Sequence, residues 1–160
     1  MALRQGDIAL LQDPVAQQLL HSTIPAHLAY VTRDGTPRVV PIWFHWNEKE
    51  LVFGTPMKAP KVRALQAKPD VVISIDGHTW PYKVLQIRGR AKVETVQGVV
   101  PEYAAAAERY FGETQGRGWV ETVGKLFPQM ARIAVQPSWV GILDFETRFP
   151  SAIANAMSGA

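Results

Sequence analysis

Residues 26–55 read AHLAYVTRDGTPRVVPIWFHWNEKELVFGT, and this segment restricts the fold more than any other. Asp34-Gly35 is a strong hairpin signal, because a two-residue turn needs positive φ and glycine adopts it freely. Asn47-Glu48-Lys49 marks a second turn. The expectation is three strands joined by two turns. From Val40 to Trp46 one face carries Val40, Ile42, Phe44 and Trp46, and the other carries Pro41, Trp43 and His45. A strand that is apolar on both faces must be covered on both, in a closed barrel or in a barrel packed on a partner. Pro41 has no N–H for a ladder, so that position belongs on an edge or at a bulge.

The rest of the chain extends this pattern. Ile8, Leu11, Val15 and Leu19 recur at helical spacing over residues 7–21, with a break expected at Pro14. A short helix is predicted over 60–68, and a strand over 71–75. The loop 76–81 follows, then a long strand over 82–95 with a bulge at Gly89. Residues 101–111 and 119–126 read as helices, and 130–135 and 139–145 as two last strands separated by Pro137. Gly112 to Gly118, GETQGRG, reads as a mobile surface loop, and 151–160 as a loose tail after a single domain spanning 1–150. Helices inserted between runs of strands, rather than alternating with them, exclude a doubly wound parallel sheet.

Composition narrows the function classes. Hydrophobic residues make up 47% of the 160 and charged residues 19%, against a usual charged share of about a quarter. That surplus of apolar surface, with five Trp, predicts a homo-oligomer. A net charge of +3 without a nucleic-acid reading motif gives no reason to expect a nucleic-acid partner. The chain has no Cys, which removes disulfides, thiolate metal sites and a Cys nucleophile. No apolar run reaches membrane-helix or signal-peptide length, so the expected location is the cytoplasm.

GTPMKAPKVRAL, residues 54–65, poses an electrostatic problem. A strand ends at Gly54-Thr55, a helix opens near Pro60, and Lys58, Lys61 and Arg63 gather where that helix starts. Positive charge at a helix N-terminus is unfavourable by about 0.3–1 kcal/mol per residue. An external anion, phosphate above all, removes the conflict. A solvated basic turn is the plainer alternative.

The order of motifs bears on that choice. DGTPRVVPIWF (34–44), a strand ending in Thr55, a loop with Lys, a helix and then KPDVV (68–72) follow one another. VLQIRGRAKVE (84–94) and RIAVQPSWVGILDF (132–145) come later. Together they resemble the flavin-binding split-barrel family that includes pyridoxamine 5′-phosphate oxidases and flavin/deazaflavin oxidoreductases. The resemblance spans residues 24–145. It implies a mainly β fold, a six-stranded antiparallel split barrel with peripheral helices, forming a homodimer with two cofactor sites at the interface. It implies an oxidoreductase using FMN, or alternatively F420, on a small organic substrate. A non-catalytic flavin- or haem-binding protein is the other alternative. Carried over residue by residue, Arg38, Val39, Val40 and Pro41 would lie along the flavin ring. Phe53, Gly54 and Thr55 would line the ribityl chain and phosphate. Lys61 would be the main phosphate lysine, with Lys58 and Arg63 as accessories. Gln86 and Arg88, on strand 84–90 of the second subunit, would close the ring pocket. The family often has Ser at the position of Ala59 and Asn at that of Ala64, so this chain lacks one phosphate donor.

Other candidates carry less. His21, His27, His45 and His78 share no metal-ligand spacing, and no metal is expected. His78 and Tyr82 are candidates for proton delivery, with solvent as the alternative. Trp80 is the tryptophan most suited to reach a pocket. Glu102, Glu108, Glu113 and Glu121 are expected to meet water, and Asp144 to pair with Arg132 or Arg148. No GxSxG, Walker or GxGxxG pattern occurs.

Overall fold

The computed structural model describes residues 3–159. Seven strands form one antiparallel sheet: β1 (Ala26–Val31), β2 (Pro37–Ile42), β3 (His45–Trp46), β4 (Leu51–Pro56), β5 (Asp70–Asp76), β6 (Lys83–Gln97) and β7 (Gln129–Asp144). Their hydrogen-bonded order is β2-β1-β5-β6-β7-β4-β3. β2 and β3 stand at opposite ends of that order, yet only Trp43 and Phe44 separate them in sequence. The sheet must therefore curl until its ends meet, and the result is a barrel left unbonded between β2 and the edge formed by short β3 and the rest of β4. The predicted antiparallel split barrel is present, with seven strands in place of six. The extra strand arises because the run 40–46 breaks at Trp43-Phe44, where the chain turns the barrel corner. Pro41 does sit on an edge strand, paired on one side with His27.

Phe44, Phe53, Leu28, Ile73, Ile75, Leu85, Ile87, Ile133 and Ile142 fill the barrel with no exposure. Each such side chain contributes about 1.5–3 kcal/mol through burial. A 3₁₀ turn at Ile8–Gln12 and α1 (Pro14–Leu20) plug one end, with Asp13 accepting from the Val15 N–H at the break before Pro14. α2 (Pro60–Ala67) crosses beside the split. α3 (Pro101–Phe111) and α4 (Glu113–Leu126) cover the outer side of β4 and β7 around Val52, Val100, Val123, Met130 and Ala134.

Three expectations change. The GETQGRG stretch is not a loop but the first turns of α4, because Gly116 lets α4 pack directly on α3. A Cβ there would lie 2.6 Å from the Glu108 Cα. The two closing strands are one 16-residue strand, β7. Pro137 fits because β6 and β7 slip register between Arg88 and Gly89, and the Ser138 hydroxyl donates to the Arg88 carbonyl at 3.1 Å. The segment after Pro150 is helical, α5 (Ser151–Ser158), with all its side chains exposed.

The bulge at Gly89 makes a stability prediction. A Cβ at Gly89 would meet the Gln136 carbonyl oxygen at 2.6 Å and Val135 Cγ1 at 2.7 Å. Gly89→Val should lower the urea midpoint by an amount equivalent to about 1–3 kcal/mol. Gly118→Ala, with nothing within 4 Å, should leave it unchanged or raise it.

Candidate cofactor-binding site

The split between β2 and β4 is where the predicted site residues meet. Along β4, side chains alternate between the barrel interior and the outer face covered by α3. Phe53 and Thr55 point inward. Gly54 faces α3, where a Cβ would strike the Tyr103 Cβ at 2.6 Å. Phe53 is fully buried in the core, so its backbone rather than its side chain is what β4 offers at that position. Thr55 is 5% exposed.

β4 runs out at Pro56, and Met57 to Ala59 turn the chain into α2. Pro60 occupies the first helical position, where its missing N–H costs nothing. The cap residue Ala59 offers no side-chain hydrogen bond, which leaves the helix start without the acceptor that Ser or Asp would supply. Val62, Ala64 and Leu65 anchor α2 to the barrel. That register turns Lys61 toward Thr55, and its Nζ donates to the Thr55 hydroxyl at 3.3 Å. Burial holds the Lys61 amine below its ordinary pKa. The folded protein therefore binds that proton less readily than the unfolded chain. Stability rises with pH from the lowered folded value towards the ordinary one. An anion arriving at Nζ would reverse the shift.

Lys58 and Arg63 open onto a neighbouring cleft of about 740 Å³, lined also by Thr32, Arg33, Asp34, Arg38 and Met57. Four cations face one carboxylate there. Asp34 is already committed: Thr32 Oγ1 and the Thr36 hydroxyl and amide all donate to it, and these bonds hold its pKa well below the usual carboxylate range. Among the described residues, none of Arg33, Arg38, Lys58, Lys61 and Arg63 forms an ion pair.

Arg38 also borders a second cleft of about 500 Å³ on the outer sheet face, with Ala29, Val72, Arg88 and Arg90. The structure thus brings together Arg38, Lys58 and Arg63, with Thr55 and Lys61 beside them. Gln86 and Arg88 lie on the outer face of β6, away from Lys58 and Arg63; Arg88 shares the sheet-face cleft with Arg38 and stacks over the Trp139 ring at 4.1 Å. Val39 is 63% exposed on that same face, and Val40 packs against the core. His78 lines a separate cleft with Trp80, Lys83 and Glu146. Tyr82 packs its ring edge-on against Trp80 and Phe145. Neither His78 nor Tyr82 reaches the split. Arg33 was missed in sequence. Its neighbour Asp34 suggested an ordinary turn, and only the folded hairpin carries it opposite α2. Among the described residues no three His, Asp or Glu side chains converge as metal ligands, and no helix is long and apolar enough to cross a membrane.

Two expectations about carboxylates fail. Glu102 is not in water but bonded to Arg132 Nε and Nη2 at 2.9 and 2.6 Å. The Asp144 carboxylate pairs with neither arginine side chain: the residue is 7% exposed, its carboxylate accepts from the Glu146 amide and the Thr147 hydroxyl, and only its backbone bridges to Arg148. Arg148 pairs instead with Asp13 at 2.9 Å.

The family model for pyridoxamine 5′-phosphate oxidase matches residues 13–144. The chain belongs to the pyridoxamine 5′-phosphate oxidase family. No curated protein sequence matches it. Among solved structures of this split-barrel family, the chain is similar to an F420 reductase, with 27% identity over 78% of this chain and 94% of that one, at a TM-score of 0.59. It is also similar in fold to a conserved hypothetical protein of Mycobacterium tuberculosis, with 17% identity, coverage of 91% and 90%, and a TM-score of 0.66. A third neighbour is the haem storage protein HutZ of Vibrio cholerae, with 19% identity, coverage of 82% and 93%, and a TM-score of 0.59.

Proposed function

We propose that this protein is a flavin-type oxidoreductase that anchors the anionic tail of its cofactor between Thr55, Lys61 and the start of α2. The observation that carries the reading is the Lys61–Thr55 pair: a half-buried ammonium with a hydroxyl for company and no carboxylate. Burying a cation without a counter-charge is unfavourable unless an anion completes the site. The donor set fits a phosphate. Lys61 retains ammonium protons beyond the one given to Thr55, and the Thr55 hydroxyl proton is free to donate.

FMN is what the family resemblance leads one to expect. The supply of cations favours the deazaflavin F420. One phosphate is served by Lys61 and Thr55, which leaves Arg33, Arg38, Lys58 and Arg63 around the adjoining cleft. A tail that continues past its phosphate into carboxylates would use them. The F420 reductase also shares 27% identity with this chain over the aligned residues. FMN is the second reading, supported by the compactness of the Lys61–Thr55 corner. The haem-binding alternative has less to stand on, since no histidine lines the basic cleft or the sheet-face cleft.

When bound, such a cofactor supplies hydride transfer to or from a small organic substrate. The chain's own residues bind and orient. Thr55 and Lys61 would hold the phosphate, the exposed edge of β2 from Arg38 to Pro41 would flank the ring, and Arg38 joins the basic cleft to the sheet face. Val39 and Val72 leave apolar surface on that face. A second copy packed there would cover it and bring its own Gln86 and Arg88 to the ring, in a cytoplasmic homodimer.

Equilibrium dialysis of the full chain against F420, FMN and haem tests the order. F420 should bind more tightly than FMN, and the difference should shrink as salt rises, because the extra contacts are exposed charges. FMN binding more tightly at all salt concentrations would reverse the choice of cofactor. Failure of both to bind would remove the oxidoreductase reading.

A further inference from the structure

An uncharged cavity of about 460 Å³ lies on the outer side of β4, lined by Pro41, Trp43, Gly54, Tyr103, Phe111 and Trp119 among others. Its size falls in the range of small-molecule pockets. The walls are built. Trp43 stacks on Tyr110 at 5.1 Å with rings 7° from parallel, and Phe111 meets it edge-on at 4.8 Å. Phe111 in turn meets Trp119 edge-on at 6.3 Å. Gly54 lets α3 approach β4 closely enough to set Tyr103 in the wall.

Phe111 and Trp119 are 45% and 40% exposed, so this aromatic surface faces solvent rather than the core. Its polar chemistry is limited. The Trp119 indole N–H is spent on the Tyr103 hydroxyl oxygen at 2.8 Å. Among the described residues the Tyr103 hydroxyl donates to nothing, so its proton is the one side-chain donor left in an otherwise apolar wall.

We infer that this cavity binds a flat, uncharged aromatic molecule bearing a carbonyl oxygen, which accepts from the Tyr103 hydroxyl. The aromatic faces supply stacking area. The absence of any charged side chain in the wall discriminates against anions, whose desolvation nothing would offset. Pro41 belongs both to this wall and to the β2 edge along which the cofactor ring would lie. The inference therefore deepens the oxidoreductase reading by naming a substrate class, although the binding itself needs no cofactor.

Isothermal titration calorimetry on the full chain without cofactor tests this with three probes: chromone, naphthalene and naphthalene-2-sulfonate. Chromone and naphthalene should bind saturably at one site and naphthalene-2-sulfonate should not. Tyr103→Phe should weaken chromone roughly threefold to tenfold, the net effect of one hydrogen bond, and leave naphthalene unchanged. Trp119→Ala, at a partly exposed position, should weaken both. Lys61→Ala should weaken neither, which separates failure here from failure of the cofactor reading. Absence of saturable chromone binding, or a chromone affinity indifferent to both Tyr103→Phe and Trp119→Ala, would overturn the inference.

Discussion

Replacing Arg132 with methionine should destabilise the fold by about 3 kcal/mol, read as a shift in the urea midpoint. Arg132 sits on the outer face of β7, in register with Gly54 of β4. Three carboxylates converge on it: Glu102 Oε1 at 2.6 Å, Glu94 Oε2 at 3.3 Å and Glu50 Oε2 at 3.6 Å. The Arg132 and Glu102 side chains are 19% and 18% exposed, so solvent screens the pair only partly. Methionine keeps much of the volume but leaves the carboxylates facing one another, with Lys92 on Glu94 as the remaining cation. Burial alone would raise the Glu102 pKa, but the hydrogen bonds and charge of Arg132 outweigh it and the net shift is downward. A carboxylate whose folded pKa is depressed stabilises the fold above its unfolded value and loses that contribution as pH falls through the folded one. The gap between wild type and Arg132→Met should therefore narrow in acid. A gap below about 1 kcal/mol at neutral pH, within the range of a surface ion pair, would show that the cluster does not hold α3 to the barrel.

Lys61→Ala should weaken binding of the phosphorylated cofactor by about 1.5–3 kcal/mol, the contribution of a charge-assisted hydrogen bond. Lys58→Ala should cost less, because Lys58 is exposed and its charge is screened. The two roles open to Lys61 differ in the free protein. If Lys61 were a structural residue, removing it would destabilise the fold. As an anion receptor whose charge is disfavoured by burial, it can be removed without loss of unliganded stability. Affinity should also fall as pH rises through the lowered folded pKa of Lys61, and that limb should vanish in the variant. Unchanged affinity, or a loss of stability matching the loss of binding, would count against the phosphate corner.

The hairpin at Asp34-Gly35, the edge placement of Pro41, the bulge at Gly89 and the bounds of the 101–111 helix were all legible in sequence. Each depends on local backbone chemistry: positive φ, a missing N–H, a missing Cβ or a proline at the first helical position. The basic corner was legible for a related reason, since Thr55 and the three cations lie within nine residues of one another. What sequence misjudged was set by partners far along the chain. Glycines in GETQGRG suggest a loop, but Gly116 is needed because α3 lies against it. Glu102 looks like a solvated helix residue until Arg132, thirty positions on, is folded beneath it.

The aromatic cavity and the joining of Arg33 and Arg38 to the α2 cations belong wholly to the second kind. The sequence by itself determined the elements and the local clustering of charge, because φ preferences, hydrogen-bond capacity and residue spacing act over a few positions. Only the tertiary structure decided which clusters face each other, which carboxylates are neutralised and where apolar surface stays uncovered. Those outcomes depend on how the barrel closes, and closure brings together strands whose sequence separation carries no local signal.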